Sequence, residues 1–239
     1  MHMSIRPSPR RETGLFVLGL AMLIAGATFL SGTAGLAGEG RPVPAPAVDE
    51  TAKTGMETAI VAGGCFWGVQ GVYQHVEGVV SATSGYIGGS IANPGYEAVS
   101  SGATGHAEAV KITYDPEKVS YGTLLQIFFS VVADPTTLNY QGPDRGTQYR
   151  TAIFATTGEQ AEIASTYIAQ LEDDGLFDAP IVTRVETASK FYRAEDYHQD
   201  YLTLNPSSPY IIRNDLPKIA NLKTFFPDRF RVRPVLEMH

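Results

Sequence analysis

Strand-like and helix-like segments alternate along most of this chain, and this alternation constrains the fold more than any other feature. Apolar residues run together or alternate in the strand-like segments and recur at helical spacing in the others. The predicted strands cover residues 58–62, 78–86, 107–114, 150–155 and 181–186, and the predicted helices cover 66–76, 120–132 and 158–172. This order predicts a two-layer α+β sandwich. From about Lys190 the chain is aromatic and proline-rich, which predicts an irregular segment wrapped around the core.

Residues 1–37 have the pattern of a targeting segment. A basic start with three arginines precedes an apolar centre at residues 14–30, and small residues then favour cleavage after Ala37. This layout predicts a secretory signal peptide. The alternative is an uncleaved membrane anchor, because about 20 apolar residues can span a bilayer. In both cases we expect export of the remaining chain, to a bacterial periplasm or to an anchored position facing it, because basic residues stay on the cytoplasmic side.

A proline- and alanine-rich segment follows at residues 38–57. Its sequence, GEGRPVPAPAVDETAKTGME, separates three prolines by small residues. Such sequences favour an extended, semi-rigid backbone. We therefore predict a linker that tethers a folded domain at residues 58–239 without packing against it.

Composition excludes several classes of protein. The 239 residues contain one cysteine, which excludes an internal disulfide, a CxxC redox pair and a cysteine-rich zinc site. The formal net charge is −7, so nucleic acid is not expected as a partner. His198 has no second histidine or cysteine at ligand spacing, so no metal is expected. With 44% hydrophobic and 18% charged residues, the composition is that of a globular protein.

The single cysteine follows a Gly-Gly pair at the end of the first predicted strand. Gly63 and Gly64 allow a sharp turn, which places Cys65 at the N-terminus of the first predicted helix. Unpaired N–H groups and the helix dipole there favour a thiolate, the form that attacks electrophiles. Phe66 and Trp67 follow directly and are expected to form an apolar wall beside the sulfur. The alternative is an inert cysteine, buried as a small hydrophobic residue.

A second candidate is Glu108, a carboxylate inside an otherwise apolar strand pattern. If its side chain faces the interior, desolvation raises its pKa and keeps a proton available for donation. The alternative is that Glu108 and Lys111 mark the solvent side of a half-exposed strand, and the spacing favours neither interpretation. A polar loop at residues 141–150 is either a binding loop or an ordinary connection.

Five ordered segments carry a resemblance to a known family. They are GGCFWG at residues 63–68, GYIGG at 85–89, NPGYEAVSSGATGHAEAV at 93–110, QGPDRGTQYRTAIF at 141–154 and FYRAEDYHQDYL at 191–202. Together they resemble the A-type peptide methionine sulfoxide reductases, and the similarity runs from about residue 59 to residue 230. Six residues alone can coincide by chance, whereas five ordered segments make a specific match.

The resemblance implies a ferredoxin-like two-layer α+β sandwich with N- and C-terminal extensions. It implies that Cys65 is the nucleophile and Glu108 the acid, and that Phe66 and Trp67 hold the methyl group of the substrate. The residues implied to bind the sulfoxide oxygen, directly or through water, are Tyr96, Asp144 and Tyr149. It also implies a reductase of the S epimer of methionine sulfoxide, free or in proteins, that repairs oxidised proteins without a metal or an organic cofactor.

The chain departs from many members of that family in one respect. They carry one or two further cysteines, often near the C-terminus, that attack the oxidised nucleophile and form a disulfide. The stretch 205–226 of this chain contains none. We therefore expect an external thiol to regenerate Cys65, either a small thiol or a thioredoxin-like protein. Nothing in the sequence indicates an obligate partner subunit, so a monomer is expected.

Two other classes of function stay open on the sequence alone. One is a different cysteine enzyme, such as a thiol acyltransferase with His106 or His198 as the base. The other is a tethered module that binds oxidised methionine without turnover. Formation of methionine separates the reductase from the binding module. The effect of substituting Glu108 compared with either histidine separates it from the acyltransferase.

Overall fold

The computed structural model describes residues 1–3, 40–51 and 53–238. The predicted signal peptide or membrane anchor at residues 1–37 therefore lies almost entirely outside the described residues. Within the described ranges, no helix combines the length and the apolar character needed to cross a membrane. All the elements below belong to the compact unit that spans Gly35–His239.

The strands of the described residues form one large sheet and one small hairpin. They are β1 (Glu57–Gly63), β2 (Val79–Ile87), β3 (Ala107–Tyr114), β4 (Tyr140–Gln141), β5 (Asp144–Arg145), β6 (Thr151–Ala155), β7 (Arg184–Thr187) and β8 (Tyr192–Arg193). The large sheet has the order β7-β6-β1-β3-β2-β8, and β4 pairs with β5. The strands predicted from the apolar pattern are all present, with ends shifted by a few residues at most.

The four central strands have the order β6-β1-β3-β2, and each is antiparallel to its neighbours. This is the strand order of a ferredoxin-like sandwich. At the edges, β7 joins β6 in parallel and β8 joins β2 antiparallel, so the complete sheet is mixed. The predicted α+β fold class is confirmed.

Three of the helices in the described ranges cover one face of the sheet, and the other three lie near the site or near the C-terminus. They are α1 (Phe66–Gln74), α2 (Tyr96–Ser100), α3 (Tyr121–Ile127), α4 (Gly158–Asp173), α5 (Tyr201–Leu204) and α6 (Leu216–Phe225). The main hydrophobic core lies between the sheet and α1, α3 and α4. Strand residues alternate between the faces: on β1, Ala59 and Val61 belong to this core, whereas Ile60 and Ala62 belong to a smaller cluster behind the sheet, next to Phe191.

The predicted helix at 120–132 consists of α3 and a π-helical turn. Ser120 caps α3 as predicted, because its hydroxyl oxygen accepts the backbone N–H of Thr123 at 3.1 Å. From Phe128 to Val132 the helix widens into a π-helical turn, in which hydrogen bonds span five residues instead of four.

The segment after Lys190 wraps the core, but the prediction that it is irregular is wrong for part of its length. It contains α6, whose first turn holds Pro217. Proline fits the first turn of a helix, because the N–H it lacks would have no helical partner there. The proline-rich composition therefore predicted an irregular segment although part of it forms the helix α6.

Residues 40–51, here called the N-terminal strap, are extended but packed against the domain. Val43 is buried, and its N–H donates to the Oγ of Ser130 at 3.1 Å. The hydroxyl of Tyr167 donates to the backbone carbonyl of Pro44 at 2.5 Å. The prediction of a linker that does not pack is wrong for the N-terminal strap. Proline spacing indicates an extended backbone, but it does not indicate whether the residues between the prolines face a groove.

The end of the N-terminal strap supplies two carboxylates to the N-terminus of α3. Asp49 accepts the backbone N–H of Gly122 at 2.7 Å and the hydroxyl hydrogen of Ser120 at 2.5 Å. Glu50 accepts the N–H of Tyr121 at 2.7 Å. Carboxylates stabilise this position because they satisfy free N–H groups and oppose the positive end of the helix dipole.

Asp49→Ala is expected to lower the free energy of unfolding by about 1–2 kcal/mol, because α3 loses a capping partner. Equilibrium urea denaturation measures the change. Asp228→Ala is the matched control, since Asp228 is exposed and lies in the turn Pro227–Arg229, outside the N-terminal strap and α3. An Asp49→Ala protein as stable as the wild type would show that the strap does not support α3.

Candidate active site

The turn between β1 and α1 determines where the single cysteine lies. Gly63 ends β1 and pairs with Thr151 of β6. Gly64 follows with φ at +90°, and a β-carbon on it would come within 2.6 Å of the Cβ of Gln141. Both the left-handed backbone and the close contact require glycine at this position. The chain then reverses direction, and Cys65 becomes the N-cap residue of α1, as predicted.

Cys65 is a neutral thiol in the free protein. Burial raises its pKa well above the ordinary value, and the negative charges of Glu108 and Asp215 raise it further. The backbone N–H of Trp67 acts in the opposite direction, with a smaller effect. The prediction that the helix N-terminus favours a thiolate is therefore wrong for the resting site. The effect of the helix is present, but desolvation and neighbouring carboxylates outweigh it.

Glu108 lies on β3 and faces the interior. Its side chain is 2% exposed, and one carboxyl oxygen, Oε2, accepts the backbone N–H of Phe66 at 3.0 Å. Burial raises the pKa of Glu108 to about 8, although the bond from Phe66 acts against the rise. Of the two interpretations left open by the sequence, the structure supports the buried acid. At neutral pH, Glu108 holds a proton beside the first turn of α1.

Two tyrosines and an aspartate surround this acid. Tyr96 begins α2, and its backbone N–H donates to Glu195 at 2.9 Å. Tyr149 lies in a 3-10 turn before β6. Burial and the charge of Glu108 raise the pKa of both phenols, so they remain hydrogen-bond donors. Asp144, on the β4–β5 hairpin, has a pKa raised by burial, and both phenols also interact with its charge and with Cys65.

Aromatic rings form the other wall of the site. Trp67 stacks on Tyr201 with ring centroids 3.7 Å apart and meets Tyr210 edge-on at 5.7 Å. The hydroxyl of Tyr210 donates to Asp144 at 2.5 Å, which joins the aromatic wall to the polar side. Phe66 is buried on the same turn of α1. The structure therefore brings together all the residues predicted for the site and adds Tyr201 and Tyr210, which the sequence analysis did not single out. Tyr201 lies in one of the five quoted segments, whereas no local pattern marks Tyr210.

The two histidines considered as possible bases, His106 and His198, form hydrogen bonds with groups other than Cys65. The Nδ1 of His106 accepts the N–H of Gly89 at 3.1 Å, and its Nε2 lies 2.8 Å from the carbonyl oxygen of Ile91. The Nδ1 of His198 accepts the indole N–H of Trp67 at 3.2 Å, which fixes the orientation of that ring. Neither histidine is bonded to Cys65, so the geometry does not support a Cys–His nucleophile pair. Among the described residues, no group of three or more His, Cys, Asp or Glu side chains could hold a metal ion.

A neutral thiol beside a neutral carboxylic acid, without a histidine base, suits the transfer of oxygen to sulfur better than acyl transfer. The fold and the site therefore indicate an oxidoreductase. A family model described as peptide methionine sulfoxide reductase matches residues 57–229. The chain belongs to the peptide methionine sulfoxide reductase family, whose members reduce methionine sulfoxide.

Individual relatives agree with this assignment. The peptide methionine sulfoxide reductase MsrA 2 of Mesorhizobium japonicum is 61% identical over 189 residues, which cover 79% of this chain and 97% of that protein. The MsrA of Deinococcus radiodurans is 50% identical over 175 residues, which cover 73% of this chain and 84% of that protein.

Solved structures show a similar fold. Reduced Mxr1 from Saccharomyces cerevisiae matches with a TM-score of 0.58 and 32% identity, over 67% of this chain and 93% of that one. Methionine sulfoxide reductase A of Corynebacterium diphtheriae matches with a TM-score of 0.55 and 36% identity, over 70% of this chain and 84% of that one.

Glu108→Gln is expected to stabilise the fold at pH 8 but to change little at pH 4.5. Below the unfolded pKa of 4.5, Glu108 is protonated in both states; between 4.5 and about 8 the unfolded chain releases a proton that the folded protein retains, so stability falls as pH rises. The amide keeps an acceptor for Phe66 and has no charge to bury. We expect a gain of roughly 2–4 kcal/mol at pH 8. Urea denaturation at both pH values measures it, and an equal effect at both would contradict the buried-acid assignment.

Proposed function

We propose that this protein reduces methionine-S-sulfoxide, free or in proteins, to methionine, with Cys65 as the nucleophile and Glu108 as the acid. One observation carries the proposal: Glu108, buried and protonated at neutral pH, is hydrogen-bonded to the residue directly after Cys65. The nucleophile and the acid are thereby fixed relative to each other before substrate binds.

The substrate binds between the two walls of the site. Phe66 and Trp67 contact the methyl group and exclude water from the sulfur. The phenols of Tyr96 and Tyr149 donate hydrogen bonds to the sulfoxide oxygen, and Asp144 contributes directly or through water. Donors aimed at an oxygen that gains negative charge stabilise the transition state more than the ground state. A pocket with an apolar wall on one side and donors on the other distinguishes the two epimers at sulfur.

The chemical step transfers one oxygen atom and two electrons. The sulfur of Cys65 attacks the sulfoxide sulfur while Glu108 protonates the oxygen, because a sulfoxide is a poor electrophile until its oxygen is protonated or strongly hydrogen-bonded. The S–O bond of the substrate breaks, and its oxygen bonds to the Cys65 sulfur as a hydroxyl group. The bond between the two sulfurs breaks with its electron pair returning to methionine, which leaves, and Cys65 is then a sulfenic acid. The methionine sulfur is reduced by two electrons, and the cysteine sulfur is oxidised by two.

An external thiol then regenerates Cys65. The first thiol attacks the sulfenic sulfur, releases water and forms a mixed disulfide, and a second thiol releases Cys65 and leaves as a disulfide. We propose a thioredoxin-like protein or a small thiol as this reductant, because the 239 residues contain no second cysteine.

The predicted signal peptide or membrane anchor indicates in which compartment the protein acts. We propose that a monomer, exported or anchored through residues 1–37, repairs oxidised proteins in the bacterial periplasm. The supporting observations are the basic start and apolar centre of that segment. The compartment is oxidising, so methionine damage is expected there and reducing equivalents must be delivered to the enzyme.

Incubation with each epimer of methionine sulfoxide and dithiothreitol tests the proposal. We expect methionine from the S epimer only, and none from the Cys65→Ser variant. Binding of the S epimer without formation of methionine would identify a binding module instead. Acylation of Cys65 by activated esters, combined with no methionine, would favour a transferase.

The state of Cys65 after one turnover tests the external-thiol proposal. With a stoichiometric amount of substrate and no reductant, intact-mass spectrometry is expected to show one added oxygen, located on Cys65. Dimedone labelling, which is specific for sulfenic acids, checks the assignment. A disulfide between two chains as the dominant first product would contradict it.

Glu108→Gln is expected to lower kcat/KM by about 100-fold or more, because general acid catalysis contributes on this scale. His106→Asn and His198→Asn are the comparison variants, and each should have a smaller effect. In the wild type, kcat/KM should fall as pH rises through about 8, where Glu108 loses its proton. A larger loss in either histidine variant than in Glu108→Gln would favour a histidine base.

A further inference from the structure

Asp215 is a buried carboxyl group that the mechanism above leaves unused. It is the last residue of the π-helical turn Ile211–Asp215, directly before α6, and it is 1% exposed. Neither of its carboxyl oxygens has a hydrogen-bond partner among the described residues. Its nearest counter-charge is the Nζ of Lys218, 3.8 Å from Oδ1. Burying a carboxyl group without partners is costly, so its presence here requires a reason.

The packing of Asp215 against α1 brings it close to the reacting sulfur. A β-carbon on Gly68 would lie 2.1 Å from the Oδ1 of Asp215, so glycine is required for the carboxyl group to reach the helix. Gly68 lies three residues after Cys65, the N-cap residue of α1, so Asp215 contacts the first turn of the helix that Cys65 begins. After burial, Glu108 and then Asp215 are the main causes that raise the pKa of the Cys65 thiol.

Three carboxyl groups therefore surround one thiol, and each is in a different state. Glu108 holds a proton and accepts the N–H of Phe66. Asp144 accepts the hydroxyl hydrogen of Tyr210. Asp215 has both oxygens free, and burial raises its pKa to about 6, so it is ionised at neutral pH.

The reaction needs a proton acceptor because Cys65 is a neutral thiol at rest. Glu108 cannot accept the thiol proton while it donates its own proton to the sulfoxide oxygen. His106 and His198 are not bonded to Cys65, and one carboxyl oxygen of Asp144 already accepts the hydroxyl hydrogen of Tyr210. Asp215 is charged at neutral pH and, within the described residues, has no hydrogen bond on either carboxyl oxygen.

We propose that the carboxylate of Asp215 accepts the proton of the Cys65 thiol as the sulfur attacks the substrate, an inference that rests on the proposed reductase function. The S–H bond breaks and its electron pair forms the bond to the methionine sulfur. The proton passes to Asp215, directly or through a bridging water. Glu108 gives its proton to the oxygen, and the bond between this oxygen and the methionine sulfur breaks. The resulting hydroxyl group bonds to the Cys65 sulfur, and the bond between the two sulfurs breaks with its electron pair returning to methionine. Asp215 gains one proton and Glu108 loses one, and exchange with solvent restores both.

The charges that face Asp215 determine its pH dependence. Lys218 on α6 stabilises the carboxylate, and Asp144 on the β4–β5 hairpin destabilises it. Tyr210 and the thiol of Cys65 are neutral neighbours at neutral pH, because burial raises the pKa of both. The reaction therefore needs Asp215 ionised and Glu108 protonated. This predicts a bell-shaped dependence of the rate on pH, with its maximum between the pKa values of the two groups.

Single-turnover oxidation of Cys65 by methionine-S-sulfoxide, without reductant and from pH 4.5 to 9, tests the proposal. The wild-type rate should rise through about pH 6 and fall above about pH 8. Asp215→Asn should lower the rate at pH 7 by about 100-fold at an unchanged half-saturating concentration. In this variant the increase of the rate near pH 6 should disappear, and the rate should instead increase as Cys65 ionises. Alkylation by iodoacetamide, measured in parallel, follows the ionisation of Cys65.

Two further variants keep the test decisive. Lys218→Met removes the counter-charge and should move the acid limb to higher pH, which narrows the profile from its acid side. Asp228→Asn, in an exposed turn, is the control and should match the wild type. An Asp215→Asn rate equal to or above that of the wild type, with faster alkylation of Cys65, would overturn the proposal, because Asp215 would then only oppose the thiolate. Failure of the wild type to form methionine would instead overturn the proposed function.

Discussion

The hydrogen bond from the backbone N–H of Phe66 to Glu108 joins the sheet to the helix that carries Cys65, and the geometry of the site depends on it. The N–H is one of the free donors at the start of α1, and the acceptor comes from the centre of β3. One contact therefore satisfies a helix terminus, buries an acid and sets its position relative to the thiol. Desolvation makes that acid neutral at physiological pH, so a group that destabilises the fold becomes a proton donor.

The same burial keeps the nucleophile protonated. Burial and the surrounding carboxyl groups raise the pKa of Cys65, so we expect slow reaction with ordinary electrophiles, since the thiolate is the reactive form. Reactivity must then arise when a sulfoxide enters, donors neutralise the charge that develops on its oxygen, and the thiol proton has an acceptor. In this arrangement the substrate completes the site. This gives selectivity, because a permanently ionised thiolate would react with other oxidants.

Local sequence patterns were sufficient for the parts of the fold that depend on local structure. The apolar runs gave β1 and β3 within a residue or two, and Gly64 gave the turn before Cys65. The face of the sheet on which the Glu108 side chain lies depends on strand register, which residue spacing does not determine. The pKa of Cys65 depends on burial and on charged groups from distant parts of the chain, so it does not follow from spacing either. The packing of the N-terminal strap and the helix α6 were missed for the same reason, because proline content describes the backbone and not its surroundings.

The C-terminal segment supplies aromatic and carboxyl groups to the site where many relatives are expected to supply sulfur. Tyr210 meets Trp67 and bonds Asp144, and Asp215 packs against Gly68, so this segment closes over the first turn of α1. A second cysteine that resolves the sulfenic acid must move close to Cys65 within each cycle, which requires a mobile segment. A segment that instead forms a wall of the pocket and, as proposed, accepts a proton must stay in place. The absence of a second cysteine from the 239 residues and the packing of this segment against α1 are therefore consistent with each other, and both agree with the proposal of a reducing thiol from outside the chain.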